Sequence, residues 1–168
     1  MKLFQQYPEV QKYTEPAEFV KDYDIKESDF ILASKSIYDK YFKEMNLKAE
    51  VRFKSMYGKG EPTDAMVDAL LEDFRKTDCN RIIAIGGGAV IDMAKILVLD
   101  TEAEAIDIYQ RKAELIRKRE LIAVPTTCGA GSEVSNVSIV ELTQLGTKLG
   151  LADDTIYADY AVLIPELL

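Results

Sequence analysis

Two glycine-rich turns contain the residues of this chain that are best suited to chemistry. Gly86-Gly87-Gly88 follows the apolar run 81–85, and the segment 125–133 follows the apolar run 121–124. Glycine has no Cβ, so its peptide N–H can approach an anion closely and its backbone can adopt positive φ. A helix after such a turn adds unpaired N–H groups and about half a positive charge. Two turns of this kind at strand ends predict a dinucleotide site, with the pyrophosphate at the first turn.

The first turn continues through Ala89 to Asp92 and Lys95 without forming a common phosphate motif. It is neither a P-loop nor Gly-x-Gly-x-x-Gly, yet it lies at a strand-to-helix switch, where open α/β sheets bind ligands. Asp92 would repel a phosphate, so we expect it to accept a hydrogen bond from a neutral donor such as a carboxamide, or to cap the helix. Without a ligand, the glycines form a tight turn and Asp92 pairs with Lys95 at i,i+3.

The second turn combines hydroxyl groups with glycines. Thr126, Thr127 and Ser132 can each donate and accept, which suits a ribose, a pyrophosphate or a nicotinamide. Glu133 has no evident partner that would make it a base, so we interpret it as a surface or capping carboxylate. Cys128 is interpreted as a small filler residue, because the chain has no histidine to activate a thiol. We therefore predict no catalytic residue in this chain.

Composition limits the remaining function classes. The chain has 168 residues, enough for one domain, with 48% apolar and 30% charged residues. Its net charge of −8 disfavours nucleic acid and anionic lipid, and the basic run 111–119 is interrupted by an acid, which indicates a solvated face. No run approaches 18 apolar residues, and residues 1–6 lack the features of a signal peptide. We expect a cytoplasmic protein without a nucleic-acid or membrane partner.

The hydrophobic pattern predicts the elements that position these turns. Strands are expected at 30–33, 49–53, 81–85, 121–124 and 160–164, and helices at 35–45, after Thr63, at 90–99 and briefly at 106–109. In the helix after Thr63, the predicted core face comprises Met66, Ala69, Leu70 and Phe74. Strands from Val134 and at 148–152 form a hairpin. The predicted fold class is α/β: an open, mostly parallel Rossmann-like sheet with flanking helices and an appended β-hairpin, forming one dinucleotide-binding domain over 1–168.

The two motifs, in this order, resemble the signatures of the metal-dependent, or iron-containing, alcohol dehydrogenase family. Those signatures are Gly-Gly-Gly-Ser-x-x-Asp-x-x-Lys and Pro-Thr-Thr-x-Gly-x-Gly-Ser-Glu. The resemblance covers essentially the whole chain, and residues 57–62 and 126–138 are most similar to the family's 4-hydroxybutyrate dehydrogenase branch.

The resemblance implies a cofactor role for matching positions. The pyrophosphate would lie on Gly86, Gly87, Gly88 and Ala89, the nicotinamide side on Asp92, the adenine and ribose side on Thr126 and Thr127, and the ribose on Lys148. Ala89 and Ala130 replace a usual Ser and Thr. Ser34 lies where members that prefer NAD often have Asp. The implied cofactor is NAD or NADP, and we favour NAD because no arginine cluster is evident nearby.

The resemblance also implies chemistry outside this sequence. Family members continue into a helical second domain, whose one Asp and three His hold Fe(II) or Zn(II), the Lewis acid for the alcohol oxygen. That domain is absent from this chain, and the ligands are expected beyond Leu168. The implied function is a homo-oligomeric alcohol dehydrogenase that interconverts a short hydroxy acid such as 4-hydroxybutyrate with succinic semialdehyde, the isolated chain being inactive. Two alternatives stay open: a domain like dehydroquinate synthase or glycerol-1-phosphate dehydrogenase, and a non-catalytic interaction module.

Overall fold

The computed structural model describes residues 6–168 as alternating strands and helices, with a hairpin after the fifth strand. The strands are β1 (Glu9–Lys12), β2 (Asp29–Ala33), β3 (Glu50–Phe53), β4 (Arg81–Gly86), β5 (Glu120–Pro125), β6 (Val137–Leu142), β7 (Thr147–Ala152) and β8 (Tyr160–Leu163). The helices are α1 (Pro16–Asp22), α2 (Lys35–Tyr41), α3 (Asp64–Arg75), α4 (Gly88–Ile96) and α5 (Ala105–Tyr109).

Six strands form one sheet in the order β1-β8-β5-β4-β2-β3, and every neighbouring pair is parallel. The chain runs from β2 to β3 on one side and then to β4 on the other side of β2. The order therefore reverses at β2, which is the topological switch where open α/β sheets bind ligands. The Rossmann-like fold class predicted from the sequence is confirmed.

Side chains alternate between two cores, one on each face of the sheet, because successive residues of a strand point to opposite faces. In β2, Phe30 and Leu32 contribute to the core shared with α3, α4 and α5, whereas Ile31 and Ala33 contribute to the core shared with α1 and α2. Both faces of the central strands are thus covered, as parallel sheets require. This burial fixes the carboxyl ends of β2, β4 and β5 side by side.

The hairpin forms a separate two-stranded antiparallel sheet, in which Val137 pairs with Ala152 and Leu142 with Thr147. It packs on α4 and on the start of α3 rather than extending the ladder of the main sheet. Thr143 donates from both its backbone N and its Oγ1 to the carboxylate of Asp64, at 3.1 and 2.8 Å. The appended hairpin is therefore attached through helices.

Several boundaries differ from the sequence prediction. The helix predicted over 35–45 ends at Tyr41 and is followed by a 3-10 turn over Lys43–Met45. The strand predicted from Val134 begins at Val137. In α3 the predicted core positions Leu70 and Phe74 are confirmed and Met66 is partly buried, whereas Ala69 is exposed, so that position was wrong. The buried apolar residues follow i, i+3, i+4, i+7 spacing and are Val67, Leu70, Leu71 and Phe74.

β1 and α1 were not predicted from the sequence. β1 is an edge strand with a mostly exposed Glu-Val-Gln-Lys sequence, so it shows no apolar alternation. α1 starts at Pro16, and Glu18 Oε2 accepts the backbone N–H groups of Thr14 and Glu15 at 3.0 and 3.3 Å. Proline at the first helical position, with a glutamate two residues later, was the available signal.

Within residues 6–168, no helix has the length and apolar content needed to cross a bilayer. The prediction about a signal peptide depends mainly on residues 1–5, which lie outside the described part of the chain.

Five tyrosines lead to a testable dependence of stability on pH. Burial raises the pKa of Tyr13 to about 12, and a hydrogen bond to Asp22 adds to the effect. Burial also raises the pKa of Tyr23, Tyr38, Tyr57 and Tyr109. A phenol whose pKa is higher in the folded state contributes stability below its unfolded pKa of about 10 and loses that contribution as pH rises further.

We therefore expect the free energy of unfolding to fall from about pH 10 upward. The ultraviolet absorption of tyrosinate should appear at higher pH in the native protein than in the urea-unfolded protein. Tyr109→Phe, which removes one buried phenol, should reduce the difference between the two titrations. Identical titrations of native and unfolded protein would contradict the prediction.

Candidate functional site

Three segments meet at the carboxyl edge of the sheet, around the switch point. Ser34, directly after β2, donates its backbone N–H to Ile85 O at 2.8 Å. Thr126, directly after β5, donates its backbone N–H to Gly86 O at 3.0 Å. Because β2, β4 and β5 are parallel neighbours, both contacts follow from strand register. The structure thus places Ser34 and Thr126 on either side of the first glycine turn.

The glycines of the first turn provide close packing rather than an unusual backbone conformation. None of Gly86, Gly87 and Gly88 has positive φ, so this turn does not use the freedom of glycine to adopt that conformation. A Cβ on Gly86 would lie 2.6 Å from Cγ2 of Val90, which is buried on α4. The bare backbone therefore lets α4 start directly against the end of β4.

The N-terminus of α4 has no side chain at its N-cap that could accept the first N–H groups. Gly87 is the N-cap, and its carbonyl accepts the N–H groups of Val90 and Ile91 at 3.0 and 3.2 Å. The N–H groups of Gly88 and Ala89 precede this first intrahelical bond, and a helix leaves such donors for other acceptors. They are the donors that an anion at this helix end would use.

The second loop, which is the second glycine-rich turn of residues 125–133, lies against the first glycine turn, Gly86–88. A Cβ on Gly87 would be 3.3 Å from Thr127 Oγ1, and one on Gly88 would be 3.1 Å from Ser132 Oγ. The glycines therefore leave room for two hydroxyls immediately beside the helix N-terminus. Gly131 has φ +69°, so positive φ does occur in the second loop.

The two loops enclose a cavity of about 50 Å³. One water occupies about 30 Å³ of liquid volume, so this cavity is far too small for a dinucleotide. Four residues predicted for the site line the cavity together with four that were not: Gly88, Thr127, Ala130 and Ser132, then Ile91, Pro125, Gly131 and Glu133.

Asp92 lies on α4 with its carboxylate turned towards the hairpin. Its Oδ2 accepts the N–H of Ile139 at 3.1 Å, and its Oδ1 lies 3.6 Å from Lys95 Nζ. Oδ1 is buried and has no hydrogen-bond partner among the described residues. Burial raises the pKa of Asp92, and the Lys95 charge opposes that shift. In this structure Asp92 serves the packing of α4 on the hairpin, and its contact with a nicotinamide remains a prediction.

Lys148 lies apart from the cavity. It is on β7, exposed, and its Nζ is 3.2 Å from Glu61 Oε2 in the loop before α3. An exposed pair of this kind contributes at most about 1 kcal/mol, so the ammonium is easily released to another anion. The role of Lys148 at a ribose therefore also stays a prediction.

The larger cavities lie elsewhere. One of about 320 Å³ includes Arg81, Glu120 and Tyr160, the first residues of β4, β5 and β8. It is thus at the amino edge of the sheet, opposite the glycine turns, and none of the residues predicted from the sequence lines it.

The described residues do not form a metal centre. Over 6–168, no three or more His, Cys, Asp or Glu side chains are grouped so that they could hold a metal ion. Cys79 is buried and Cys128 is exposed in the second loop. The chemistry that this edge can provide is anion binding by backbone N–H groups and hydrogen bonding by hydroxyls.

A parallel α/β sheet with a glycine turn at its switch point defines a Rossmann-like protein. The family model for "Iron-containing alcohol dehydrogenase" matches residues 10–165. The chain therefore belongs to the iron-containing alcohol dehydrogenase family, and the resemblance seen in its two motifs is confirmed.

Relatives within the family share the chain's sequence to different degrees. The chain is 45% identical over 168 residues to 4-hydroxybutyrate dehydrogenase of Clostridium kluyveri. The match covers all of this chain and 45% of that relative. It is 39% identical over 112 residues to 4-hydroxybutyrate dehydrogenase of Cupriavidus necator, covering 63% of this chain and 29% of the relative. The chain thus spans less than half the length of these relatives.

Solved structures show the same fold. Sulfoacetaldehyde reductase from Bifidobacterium kashiwanohense, in complex with NAD+, superposes with a TM-score of 0.81 at 22% identity. The match covers 99% of this chain and 47% of that one. The shared fold is therefore that of about half of the solved chain.

Proposed function

We propose that this chain is the NAD-binding domain of an alcohol dehydrogenase that interconverts a short hydroxy acid, such as 4-hydroxybutyrate, with its aldehyde, succinic semialdehyde. The observation that carries the proposal is the meeting of Gly86–88 with the hydroxyls of Thr127 and Ser132 at the N-terminus of α4. The identity to two 4-hydroxybutyrate dehydrogenases supports the choice of substrate.

The residues present fit a pyrophosphate. The backbone of Gly87 and Gly88 carries no side chain at the helix end, and the N–H groups of Gly88 and Ala89 are the first donors of α4. A negative charge there is stabilised by the helix dipole as well as by these donors. Thr127 and Ser132 add hydroxyl donors on the facing side. When bound, the nicotinamide would accept or supply the hydride, while the chain's own groups hold and orient the cofactor.

The charged groups around the cavity affect how tightly an anion can bind there. Glu133 lines the cavity, so it faces the predicted phosphate position from the loop side and should weaken binding there. Lys95 is fully buried and donates to Val137 O, and the described residues that line the cavity include no Lys or Arg, so the positive end of the α4 dipole is what attracts an anion there. We therefore expect weak rather than tight cofactor binding by this chain.

Metal chemistry is not assigned to these residues, because the described part of the chain provides no grouped ligands. We propose that Fe(II) or Zn(II), if used by the whole enzyme, is held by residues outside this chain. We also propose that the chain alone is inactive, that the enzyme is a homo-oligomer and that it works in the cytoplasm.

Titration of the protein with NADH tests the proposal. We expect NADH fluorescence to increase and shift on binding, with saturation at millimolar or lower concentration, and we expect NADPH to bind more weakly. Adding Fe(II) and 4-hydroxybutyrate with NAD+ should give no turnover. Absence of any fluorescence or heat signal at millimolar NADH would contradict the binding proposal, and turnover by the chain alone would contradict its inactivity.

A further inference from the structure

One face of α4 connects the first glycine turn with the second loop and the hairpin. Gly88, Asp92 and Lys95 are spaced i, i+4, i+7, which places them on the same side of a helix. The missing Cβ of Gly88 leaves room for Ser132, and Asp92 accepts the N–H of Ile139. This face therefore docks the segment 132–139 along almost two turns of the helix.

Lys95 makes further contacts from this face of α4. Its side chain is fully buried, yet it is an ammonium group with three donors. Nζ donates to Val137 O at 2.6 Å and to Ser135 Oγ at 3.2 Å, and it lies 3.6 Å from Asp92 Oδ1. Burying a charge is costly unless such partners are all present, so the position of the loop and the position of the ammonium depend on each other.

Ser138 continues the same contact region further along β6. Its Oγ donates to Asp92 O at 2.7 Å and is 2.6 Å from the hydroxyl of Tyr109 on α5. All three groups are buried, which makes this end of the hairpin rigid against α4 and α5. Lys95 thus connects a rigid hairpin to the loop that precedes it.

Hydrogen bonds to α4 and β4 hold the chain at the two ends of the second loop, whereas its middle is exposed. Thr126 N–H is bonded to Gly86 O at one end, and Ser135 and Val137 are bonded to Lys95 at the other. Residues 127–130 between them are exposed. Ser132, three residues before the Lys95 contact, is buried beside Gly88. The loop's geometry at Gly88 is therefore set largely from the Lys95 end.

We propose that Lys95 is a positioning residue for cofactor binding: its buried ammonium holds the segment 135–137 so that Ser132 lies beside the open N-terminus of α4. This inference rests on the proposed function, since the site that Lys95 arranges is the proposed cofactor site. Lys95 contacts no cofactor itself and acts through the loop.

A purely structural role would have a different signature. If Lys95 only stabilised the fold, its loss would lower the unfolding temperature and raise hydrogen exchange across the sheet, with unchanged NADH affinity of the folded molecules. A positioning role instead changes affinity below the unfolding temperature and raises exchange locally, in 126–139.

Lys95→Met tests the difference, because methionine keeps much of the side-chain length without the charge. Lys112→Met, at an exposed lysine, is the matched control. We expect NADH affinity to fall at least about tenfold in Lys95→Met and to stay within about twofold in the control, since small displacements of site groups have large effects. Hydrogen exchange should rise in peptides from 126–139 but not in those from β2 and β4.

Ser135→Ala is the second variant, because it removes one acceptor of the ammonium without leaving a buried charge alone. We expect it to fold and to bind NADH several-fold more weakly, with faster exchange in the same loop peptides. If Lys95→Met fails to fold, wild-type affinity in Ser135→Ala overturns the proposal. A folded Lys95→Met with wild-type affinity overturns it too, whereas a wild-type protein that does not bind NADH overturns the proposed function and this inference with it.

Discussion

Gly87→Asp is expected to abolish measurable NADH binding while leaving the protein at least as stable as the wild type. Gly87 is the N-cap of α4, and its φ and ψ of −76° and −176° are accessible to any residue. Aspartate is a preferred N-cap, since its carboxylate accepts N–H groups of the first helical turn. That carboxylate would occupy the end of the helix to which a pyrophosphate must bind.

The size of the effect follows from charge repulsion. Two like unit charges 4 Å apart repel by about 4 kcal/mol at an effective dielectric constant of about 20. With about 1.4 kcal/mol for each factor of ten, NADH affinity should fall at least about a hundredfold. NADH fluorescence titration measures the affinity, and thermal unfolding measures the stability.

Gly87→Asn is the matched control, because asparagine has nearly the same shape and is also a good N-cap but carries no charge. In both variants the new Cβ lies 3.3 Å from Thr127 Oγ1, so both require the same small movement of an exposed side chain. We expect Gly87→Asn to bind far more tightly than Gly87→Asp. Equal affinity of wild type and Gly87→Asp would show that the cofactor does not approach this helix end.

Asp29→Ala is expected to destabilise the fold by about 2 kcal/mol or more, because it removes a buried carboxylate that accepts hydrogen bonds from the partly exposed Arg81 guanidinium. Asp29 is 1% exposed. Its Oδ1 and Oδ2 accept Arg81 Nε and Nη2 at 2.8 and 2.7 Å, and Oδ2 also accepts the N–H of Lys26 at 2.8 Å. The substitution leaves the Arg81 guanidinium only partly compensated by the carbonyl of Tyr23. Urea unfolding measures the change in free energy.

Glu72→Ala is the control, because it removes an acidic side chain from an exposed position. Glu72 is exposed and pairs with Lys76 at 3.1 Å one turn along α3, so its removal should cost no more than about 0.5 kcal/mol. Asp29 and Arg81 pair across the starts of β2 and β4, at the edge opposite the glycine turns. Folded Asp29→Ala should therefore bind NADH like the wild type. A loss of stability equal to that of Glu72→Ala would show that the pair of Asp29 and Arg81 contributes little.

The sequence was sufficient for the parallel α/β class, for the strands of the main sheet other than β1 and for the place of the two turns. The runs 81–85 and 121–124 are short, apolar and rich in β-branched residues, and each is followed by glycine and hydroxyl residues. Strands of this kind are buried on both faces of a parallel sheet, and parallel neighbours end at the same edge. Ser34, Gly86 and Thr126 therefore had to meet, as the structure shows.

The sequence was insufficient where a side chain has several possible partners. Asp92 and Lys95 at i,i+3 fit an ordinary surface pair, worth a few tenths of a kcal/mol. Their real partners, Ile139 and Val137, are more than 40 residues away along the chain. Likewise, Ala69 fits the helical spacing of a core position, but α3 is rotated so that Val67 and Leu71 are buried instead.

The sequence by itself thus determined the α/β class, the family and the chemical character of the edge at Gly86–88, because these depend on local patterns of apolar residues, glycines and hydroxyls. Only the tertiary structure decided that the hairpin packs on α4, that Lys95 is buried beneath the second loop and that Lys148 pairs with Glu61. The physical reason is that strand and turn formation follow from neighbouring residues, whereas the partner of a long polar side chain depends on which distant segment packs against it.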